Sequence, residues 1–237
     1  MITSSLKSRF NKTYSLPCEI NETDLVTFSF FRKLVNFYSP LNDEFDKNEI
    51  LRFKNKKVDF FGLKYGWTGT VLKEKLRLHD YISDDDFIIQ IVTKDNMDEI
   101  YLAKVDPKET LELTYNIVIK RVNLNNISYL EKFDQVRIPY INLNTSKHFK
   151  EIEGKRILNE NFNTYSFRQA VQLIDFNLNE RGISLESIAY ADAYEAFTSA
   201  QKKLIFDKPF LLIMKQKDNE LPYFLMWISN TELMIEL

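Results

Sequence analysis

The sequence predicts an α+β fold with a large mixed or antiparallel sheet, a second strand-rich layer and few helices. Residues 24–31 and 169–179 alternate between two sets of side chains with the period of two that is typical of a β-strand. Residues 204–214 and 223–228 are largely apolar runs, which fit strands covered on both faces. Only residues 106–122 show a clear helical spacing of apolar side chains.

The elements of the first half follow from the same patterns. Residues 1–23 are polar and form a surface segment that leads into the strand at residues 24–31. Short apolar or alternating runs then predict strands at residues 58–61, 76–81, 87–92, 100–103 and 135–143. Asp84, Asp85 and Asp86 separate two of these strands. They indicate a polar hairpin tip, because a calcium loop spaces its ligands at alternate positions and requires a glycine and a final glutamate.

The predicted helix has sequence signals at its start. Asp106 is expected as the N-cap, Pro107 as the first helical residue and Glu109 as the third. Helical spacing places one apolar face on the sheet, formed by Leu111, Tyr115, Val118, Ile119 and Val122. After the helix, Pro139 predicts an edge strand or a locally irregular one, because proline has no N–H to donate to a neighbouring strand.

Composition limits the class of protein. The 237 residues can bury a substantial core, and we expect a single domain over residues 1–237 because no linker rich in proline, glycine or serine divides them. The 32 basic and 34 acidic residues are interspersed, so neither a nucleic acid nor a membrane is expected as a partner. Lys54, Lys56 and Lys57 do cluster, and this favours a solvated turn.

The chain carries no sequence signal for export. Cys18 is the only cysteine, so no intrachain disulfide can form. No apolar run approaches the roughly 20 residues that span a bilayer, and the polar start lacks the apolar core of a secretory signal. We therefore expect either an intracellular protein or a chain shortened at its start.

Catalysis is not expected from the residues present. The two histidines, His79 in a strand and His148 in a polar turn, lie in no recognisable nucleophile or zinc motif. A hydrolase needs a nucleophile, a base and an orienting group that meet in space. The sequence therefore predicts a protein that is not an enzyme and has no cofactor and no metal ion.

Two motifs flank a long segment near the end of the sequence. Residues 179–182 read Asn-Glu-Arg-Gly and follow a strand, and residues 206–210 read Phe-Asp-Lys-Pro-Phe and begin an apolar run. This order and spacing resemble the C-terminal portion of a serpin, in which a hinge of this kind opens the reactive-centre loop and a Lys-Pro-Phe strand follows the loop. The resemblance covers about residues 25–235, lacks the family's N-terminal helices, and implies a serpin-like fold.

The resemblance assigns roles to individual residues. It implies a hinge at Asn179, Glu180, Gly182 and Ile183 and an exposed reactive-centre-like loop at residues 183–203. Counting from the hinge at the family's spacing places the protease bait at Tyr194, Glu195, Ala196 and Phe197.

Two further positions correspond to the family's shutter, where an asparagine and a histidine share a hydrogen-bond network. Thr27 and Gln172 stand in their places, and Gln172 keeps the capacity to form hydrogen bonds. Inhibitory serpins resemble one another in having small residues just after the hinge glycine. Here Ile183, Leu185 and Glu186 add bulk that is expected to slow entry of the loop between packed strands, which argues against trapping inhibition.

Two interpretations of the loop stay open. Every second residue from Ile183 to Ala193 is uncharged and mostly small, a face suited to burial as an inserted strand. The alanines also suit a helix, which would make the loop a docking surface. The first interpretation implies a partner serine protease, not a trypsin-like one since no basic residue lies between Arg181 and Lys202. The second implies a non-inhibitory protein–protein interaction module on a truncated serpin scaffold.

Overall fold

The computed structural model of the chain describes residues 24–31, 35–43, 45–46, 48–64, 75–122, 127–131, 134–182 and 201–237. Within these ranges the chain is mostly β-strand, with one α-helix. The predicted α+β class with several sheets and few helices is therefore confirmed.

The elements are numbered in chain order. The strands are β1 Asp24–Phe31, β2 Leu51–Phe53, β3 Lys56–Val58, β4 Phe60–Leu63, β5 Leu76–Ser83, β6 Asp86–Ile91, β7 Asp98–Lys104, β8 Gln135–Pro139, β9 Ile141–His148, β10 Ser166–Leu178, β11 Lys203–Ile205, β12 Phe210–Gln216 and β13 Phe224–Ile228. The α-helix, α1, is Leu111–Arg121, and a short 3-10 helix is Glu160–Phe162.

The chain divides into two compact units. The first comprises Met1–Phe31 and Thr145–Ile174, and the second comprises Arg32–Asn144 and Asp175–Leu237. The expectation of a single domain stays a prediction.

A three-stranded sheet in the order β1, β10, β9 characterises the first unit. β1 runs parallel to β10, from the pair Asp24–Ser166 to the pair Phe31–Ile174, with a register irregularity after Leu25. β10 continues beyond this pairing and ends directly before the predicted hinge.

The second unit is built on a five-stranded antiparallel sheet in the order β13, β12, β7, β6, β5. Helix α1 packs on it through Tyr115 and Val118, which join a buried cluster with Ile88, Tyr101 and Leu211. β12 is buried on both faces over its apolar part, as predicted. β13 is half-buried along most of its length, so the prediction that it is covered on both faces is wrong.

Two smaller sheets complete the second unit. One is a three-stranded sheet in the order β11, β8, β4, in which β11 runs parallel and β4 antiparallel to the central β8. The other is a two-stranded hairpin formed by β2 and β3. The expected edge position of β8 is therefore wrong, whereas the break at Tyr140 between β8 and β9 agrees with the alternative expectation of a locally irregular strand. Pro139 is the last residue of β8, opposite Phe60 of β4, and after Tyr140 the chain continues as β9.

The helix begins later than the sequence predicts. Its N-cap is Thr110, whose side chain accepts a hydrogen bond from the Leu113 N–H at 3.1 Å. The Thr114 hydroxyl accepts from the Lys108 N–H at 2.9 Å, so the preceding residues fold back onto the first helical turn instead of extending it. Asp106 is therefore not the N-cap.

Other boundaries also differ from the predictions. The strand expected at residues 58–61 is divided at Asp59 into β3 and β4, and the run at residues 204–214 is divided into β11 and β12. The predicted hairpin tip is confirmed, because Asp84 and Asp85 form the turn between β5 and β6.

Candidate functional site

The turn that ends β10 lies where the sequence places the hinge. The Asn179 N–H donates to the Gly182 carbonyl at 3.3 Å, and the Gly182 N–H donates to the Asn179 carbonyl at 3.2 Å. The Asn179 side-chain oxygen accepts from the Arg181 N–H at 3.0 Å, which is the hydrogen bond of an Asx-turn. The strand therefore ends in a closed turn supported by Asn179.

The position of Gly182 does not accommodate a residue with a side chain. Its φ of +105° lies in the region that favours glycine. A Cβ atom there would lie 2.2 Å from the Val35 carbonyl oxygen and 2.9 Å from the Phe37 nitrogen, inside van der Waals contact. The close approach accompanies an antiparallel bridge between Gly182 and Asn36. Backbone conformation and backbone packing thus both require glycine.

The partner of the hinge is a connecting segment, residues 35–43. The Phe37 N–H donates to the Arg181 carbonyl at 3.1 Å, and the Leu41 N–H donates to the Glu180 carbonyl at 2.8 Å. The segment is fixed in turn, because the Leu41 carbonyl accepts from a β4 N–H at 2.9 Å. The hinge is therefore bonded, backbone to backbone, to a segment that is itself bonded to a sheet.

The hinge contains few charged contacts. The Glu180 Oε1 lies 3.5 Å from the Arg181 Nε, which pairs the two side chains. Burial, together with the nearby Glu180 carboxylate, raises the pKa of Tyr140 well above its usual range, so the phenol stays protonated. Backbone contacts rather than ion pairs thus dominate this end of the loop.

The downstream end of the predicted loop is held by charged side chains, and we name residues 202–208 the downstream anchor. The Lys202 N–H donates to the Asp134 Oδ1 at 2.7 Å, and the Lys202 Nζ lies 3.4 Å from the Asp134 Oδ2. The Lys203 N–H donates to the Asp84 Oδ1 at 2.9 Å. Carboxylates from two other parts of the chain therefore fix the backbone at both lysines.

Lys104 at the end of β7 is the centre of this anchor. Its side chain is only 3% exposed, and its Nζ donates to the Asp207 carboxylate at 2.6 Å. The same Nζ donates to the carbonyls of Ile205 and Asp84, both at 2.9 Å. It also lies 2.8 Å from the Asp85 Oδ1. A buried ammonium requires this many partners because isolating it from water is unfavourable.

The three consecutive aspartates connect the hairpin tip to two parts of the second unit, the downstream anchor and the end of α1. Asp84 and Asp85 contact the downstream anchor, and Asp85 also pairs with Lys208 at 2.6 Å. Asp86 pairs with Arg121 at the end of α1 at 2.6 Å. Sequence reasoning predicted the hairpin tip but missed the ion pairs and hydrogen bonds that these aspartates form. The signal that could have indicated them is the combination of three adjacent carboxylates with the lysines at the downstream end of the predicted loop.

The two shutter-like residues lie on paired strands. Thr27 of β1 is opposite Ala170, and Gln172 of β10 is opposite Ser29. Because alternate residues of a strand point to the same face, Thr27 and Gln172 are diagonal neighbours on one face of this sheet. Their role as a shutter stays a prediction.

Several predicted residues fall outside the described ranges. These are Ile183 of the hinge and the bait residues Tyr194, Glu195, Ala196 and Phe197. Among the residues that are described, no three histidine, cysteine, aspartate or glutamate side chains meet as a metal site. No helix in the same ranges is both long enough and apolar enough to cross a membrane.

The described strands and sheets have a serpin-like fold, as comparison with solved structures shows. Serpin48 of the insect Tenebrio molitor matches with a TM-score of 0.56 at 13% identity, and uncleaved ovalbumin with 0.61 at 16%. Mouse protein-Z dependent protease inhibitor matches with 0.60 at 19%.

The matches cover nearly all of this chain but only part of each matching serpin. Each match covers 97% of this chain but only 61–63% of the other chain. This chain therefore spans about three fifths of the length of the serpins it matches. No family model matches the sequence, and no curated protein does so either.

Proposed function

We propose that this chain is a serpin-like protein that presents residues 183–203 to a serine protease. One observation carries the proposal: β10, which leads into the hinge, pairs in parallel with β1. A segment that turns back from the hinge runs antiparallel to β10 and therefore to β1. It can enter between them and replace one parallel pair with two antiparallel pairs, which are slightly more stable per residue.

The two ends of the loop support presentation to a partner. The hinge is bonded to the connecting segment, and the downstream anchor is bonded to Asp84, Lys104 and Asp134. A segment tethered at both ends presents a limited set of conformations, which lowers the entropic cost of binding. The bait residues proposed within it are Tyr194, Glu195, Ala196 and Phe197.

A second candidate is a non-inhibitory interaction module on the same scaffold. Insertion would have to break the eight register pairs that join β1 to β10, and it would bring the bulky Ile183 and Leu185 between packed strands. One solved structure of similar fold is thyroxine-binding globulin in complex with thyroxine, which matches with a TM-score of 0.59 at 14% identity. This second candidate has no need for the loop to move.

Cleavage followed by a melting scan separates the two candidates. Protein cut only between residues 182 and 203 is compared with intact protein. Insertion adds a strand, and a gain of several kcal/mol corresponds to a rise in melting temperature of roughly 10 °C for a chain of this size. An unchanged or lower melting temperature contradicts insertion and leaves the interaction module.

Matched variants test whether a rise comes from insertion. Ala191 belongs to the alternating face that would be buried, and Asp192 belongs to the opposite face. Ala191→Arg should abolish the rise after cleavage, because an arginine cannot be buried there without a partner. Asp192→Arg should leave the rise intact. Equal behaviour of the two variants would show that the rise has another cause.

A further inference from the structure

The hairpin formed by β2 and β3 has one buried apolar face. Leu51, Phe53 and Val58 are at most 1% exposed. The Phe53 ring packs edge-on against Phe210, with centroids 6.4 Å apart. The hairpin is therefore fixed on the second unit, and its outer face has a defined orientation.

The outer face and the tip of this hairpin are basic. We name Arg52, Lys54 and Lys57, all exposed, the basic face. Arg52 lies directly opposite Lys57 in the antiparallel register, a like-charge pair that destabilises a hairpin. Lys56 pairs with Glu236 at 2.6 Å, whereas within the described ranges no carboxylate forms an ion pair with the basic face. These three positive charges are therefore available to a partner.

The turn of the hairpin also departs from the most stable choice of residue. Lys54 and Asn55 have φ values of 45° and 79°, the two positive values that a tight hairpin turn of this type requires. Asparagine adopts such values readily, but lysine does so at an energetic cost. Departures of this kind concentrate at functional sites, where a side chain is retained for what it binds.

The basic face adjoins the downstream anchor. The Lys54 N–H donates to the Asp207 carbonyl at 3.2 Å, and the Asp207 carboxylate binds the buried Lys104. A protein that engages the loop at this end would thus reach the hairpin as well. We infer that the basic face binds an acidic segment on the protein that engages the loop.

The choice of a protein as the occupant rests on the proposed function and on the number of charges. The three exposed cations of the basic face are fewer than the roughly 6–10 phosphate contacts of a typical nucleic-acid site or the 4–8 basic residues of a lipid-binding cluster. The hairpin also exposes no apolar side chain that could enter a membrane, since Leu51, Phe53 and Val58 are buried. The chain's net charge of −2 opposes the approach of a long polyanion. A few carboxylates on a protein surface would match the basic face in the number and sign of their charges.

A binding experiment on the intact chain tests the inference. Fluorescein-labelled octaglutamate is the probe, and its polarisation is followed at low ionic strength. We expect binding that added salt abolishes, and affinity roughly tenfold weaker in the triple variant Arg52→Gln, Lys54→Gln, Lys57→Gln. The matched control replaces three exposed lysines of the first unit with glutamine: Lys147, Lys150 and Lys155. It removes the same charge and should bind octaglutamate as the unaltered chain does.

A single substitution separates loss of binding from loss of structure. Lys54→Asn removes one charge and relieves the strained turn, so it should raise the melting temperature by roughly 2 °C while weakening octaglutamate binding about twofold. Lower affinity in a more stable protein cannot be attributed to misfolding.

Three outcomes would overturn the inference. They are no octaglutamate binding by the unaltered chain, equal loss of affinity in the two triple variants, and tighter hairpin-dependent binding to phosphatidylserine vesicles or to a heparin oligosaccharide. The last outcome would assign the basic face to a different occupant. The experiment uses uncleaved protein, so its result is independent of whether the loop inserts.

Discussion

The two ends of the predicted loop are held by different kinds of contact. At the hinge, backbone groups of residues 179–182 bond to the connecting segment, and Gly182 lets the two backbones approach closely. At the downstream anchor, the carboxylates of Asp84, Asp134 and Asp207 bind backbone N–H groups or the buried Lys104.

This difference determines what can release each end. Backbone hydrogen bonds do not titrate in the physiological pH range, but they depend on the exact separation of the two chains. Ion pairs depend on protonation and charge, and they tolerate small changes of shape. One end of the loop should therefore respond mainly to steric change, and the other mainly to removal of charge.

The largest effect is expected from Gly182→Ala at the hinge. The new Cβ would meet the Val35 carbonyl oxygen at 2.2 Å, and φ is +105°. The two penalties together should lower the free energy of unfolding by about 3 kcal/mol or more. Urea unfolding measures the loss. Hydrogen exchange at the Phe37 and Leu41 amides should accelerate, because both donate to the hinge.

Gly154→Ala is the matched control for this substitution. Gly154 has a φ of +77°, but no atom lies within 4 Å of the position of its Cβ. Only the conformational penalty remains, so we expect a loss of about 1 kcal/mol. Equal losses in the two variants would show that close packing of Gly182 against the connecting segment does not stabilise the hinge.

Asp207→Asn should have the next largest effect, and it acts at the other end of the loop. The substitution removes the shortest ion pair of the buried Lys104, which keeps Asp85 and two carbonyls as partners. We expect a loss of about 2 kcal/mol in the free energy of unfolding, below the 3–5 kcal/mol of a fully isolated buried charge. Hydrogen exchange within β11 should accelerate, with the hinge amides unchanged.

An exposed ion pair provides the control for Asp207→Asn. Glu236 pairs with Lys56 at 2.6 Å, but both side chains are about half exposed. Glu236→Gln should therefore leave the urea unfolding midpoint almost unchanged. A loss as large as that of Asp207→Asn would contradict the view that burial of Lys104 gives the downstream anchor its strength.

Local patterns in the sequence predict the elements better than their contacts. The alternation at residues 24–31 and the apolar run that contains β12 give strands in the predicted places. Propensity and capping signals around Asp106 suggested an early helix start, but the Thr114 hydroxyl bonds to the preceding turn and moves the start to residue 111. The hydrogen bond of Thr114, the fourth residue of the helix, therefore determines where the helix begins more than the capping signal at Asp106 does.

The site depends on contacts that have no local signature. Lys104 and Asp207 are 103 positions apart, and nothing in the residues around either one indicates the other. The hinge motif could be found from Asn179 and Gly182, whereas its bonding to the connecting segment could not. A buried ion pair requires only that two strands end near each other, and that is set by the packing of the whole sheet.

The smallest effect is expected from Asp85→Asn, and it should depend on pH. Hydrogen bonds from Lys104 and Lys208 lower the pKa of the Asp85 carboxyl below its ordinary value of 3.8. The folded state thus binds this proton less tightly than the unfolded state, so the stabilisation is complete above the ordinary pKa and is lost as the pH falls through the lowered value.

Because the Asp85 side chain is 56% exposed, the loss at neutral pH should be only about 0.5 kcal/mol. Urea unfolding of both proteins should give a constant difference from about pH 7 to pH 5 that diminishes as the pH falls below the ordinary pKa of 3.8. A difference that grows on acidification would show that charge repulsion, rather than ion pairing, dominates at Asp85.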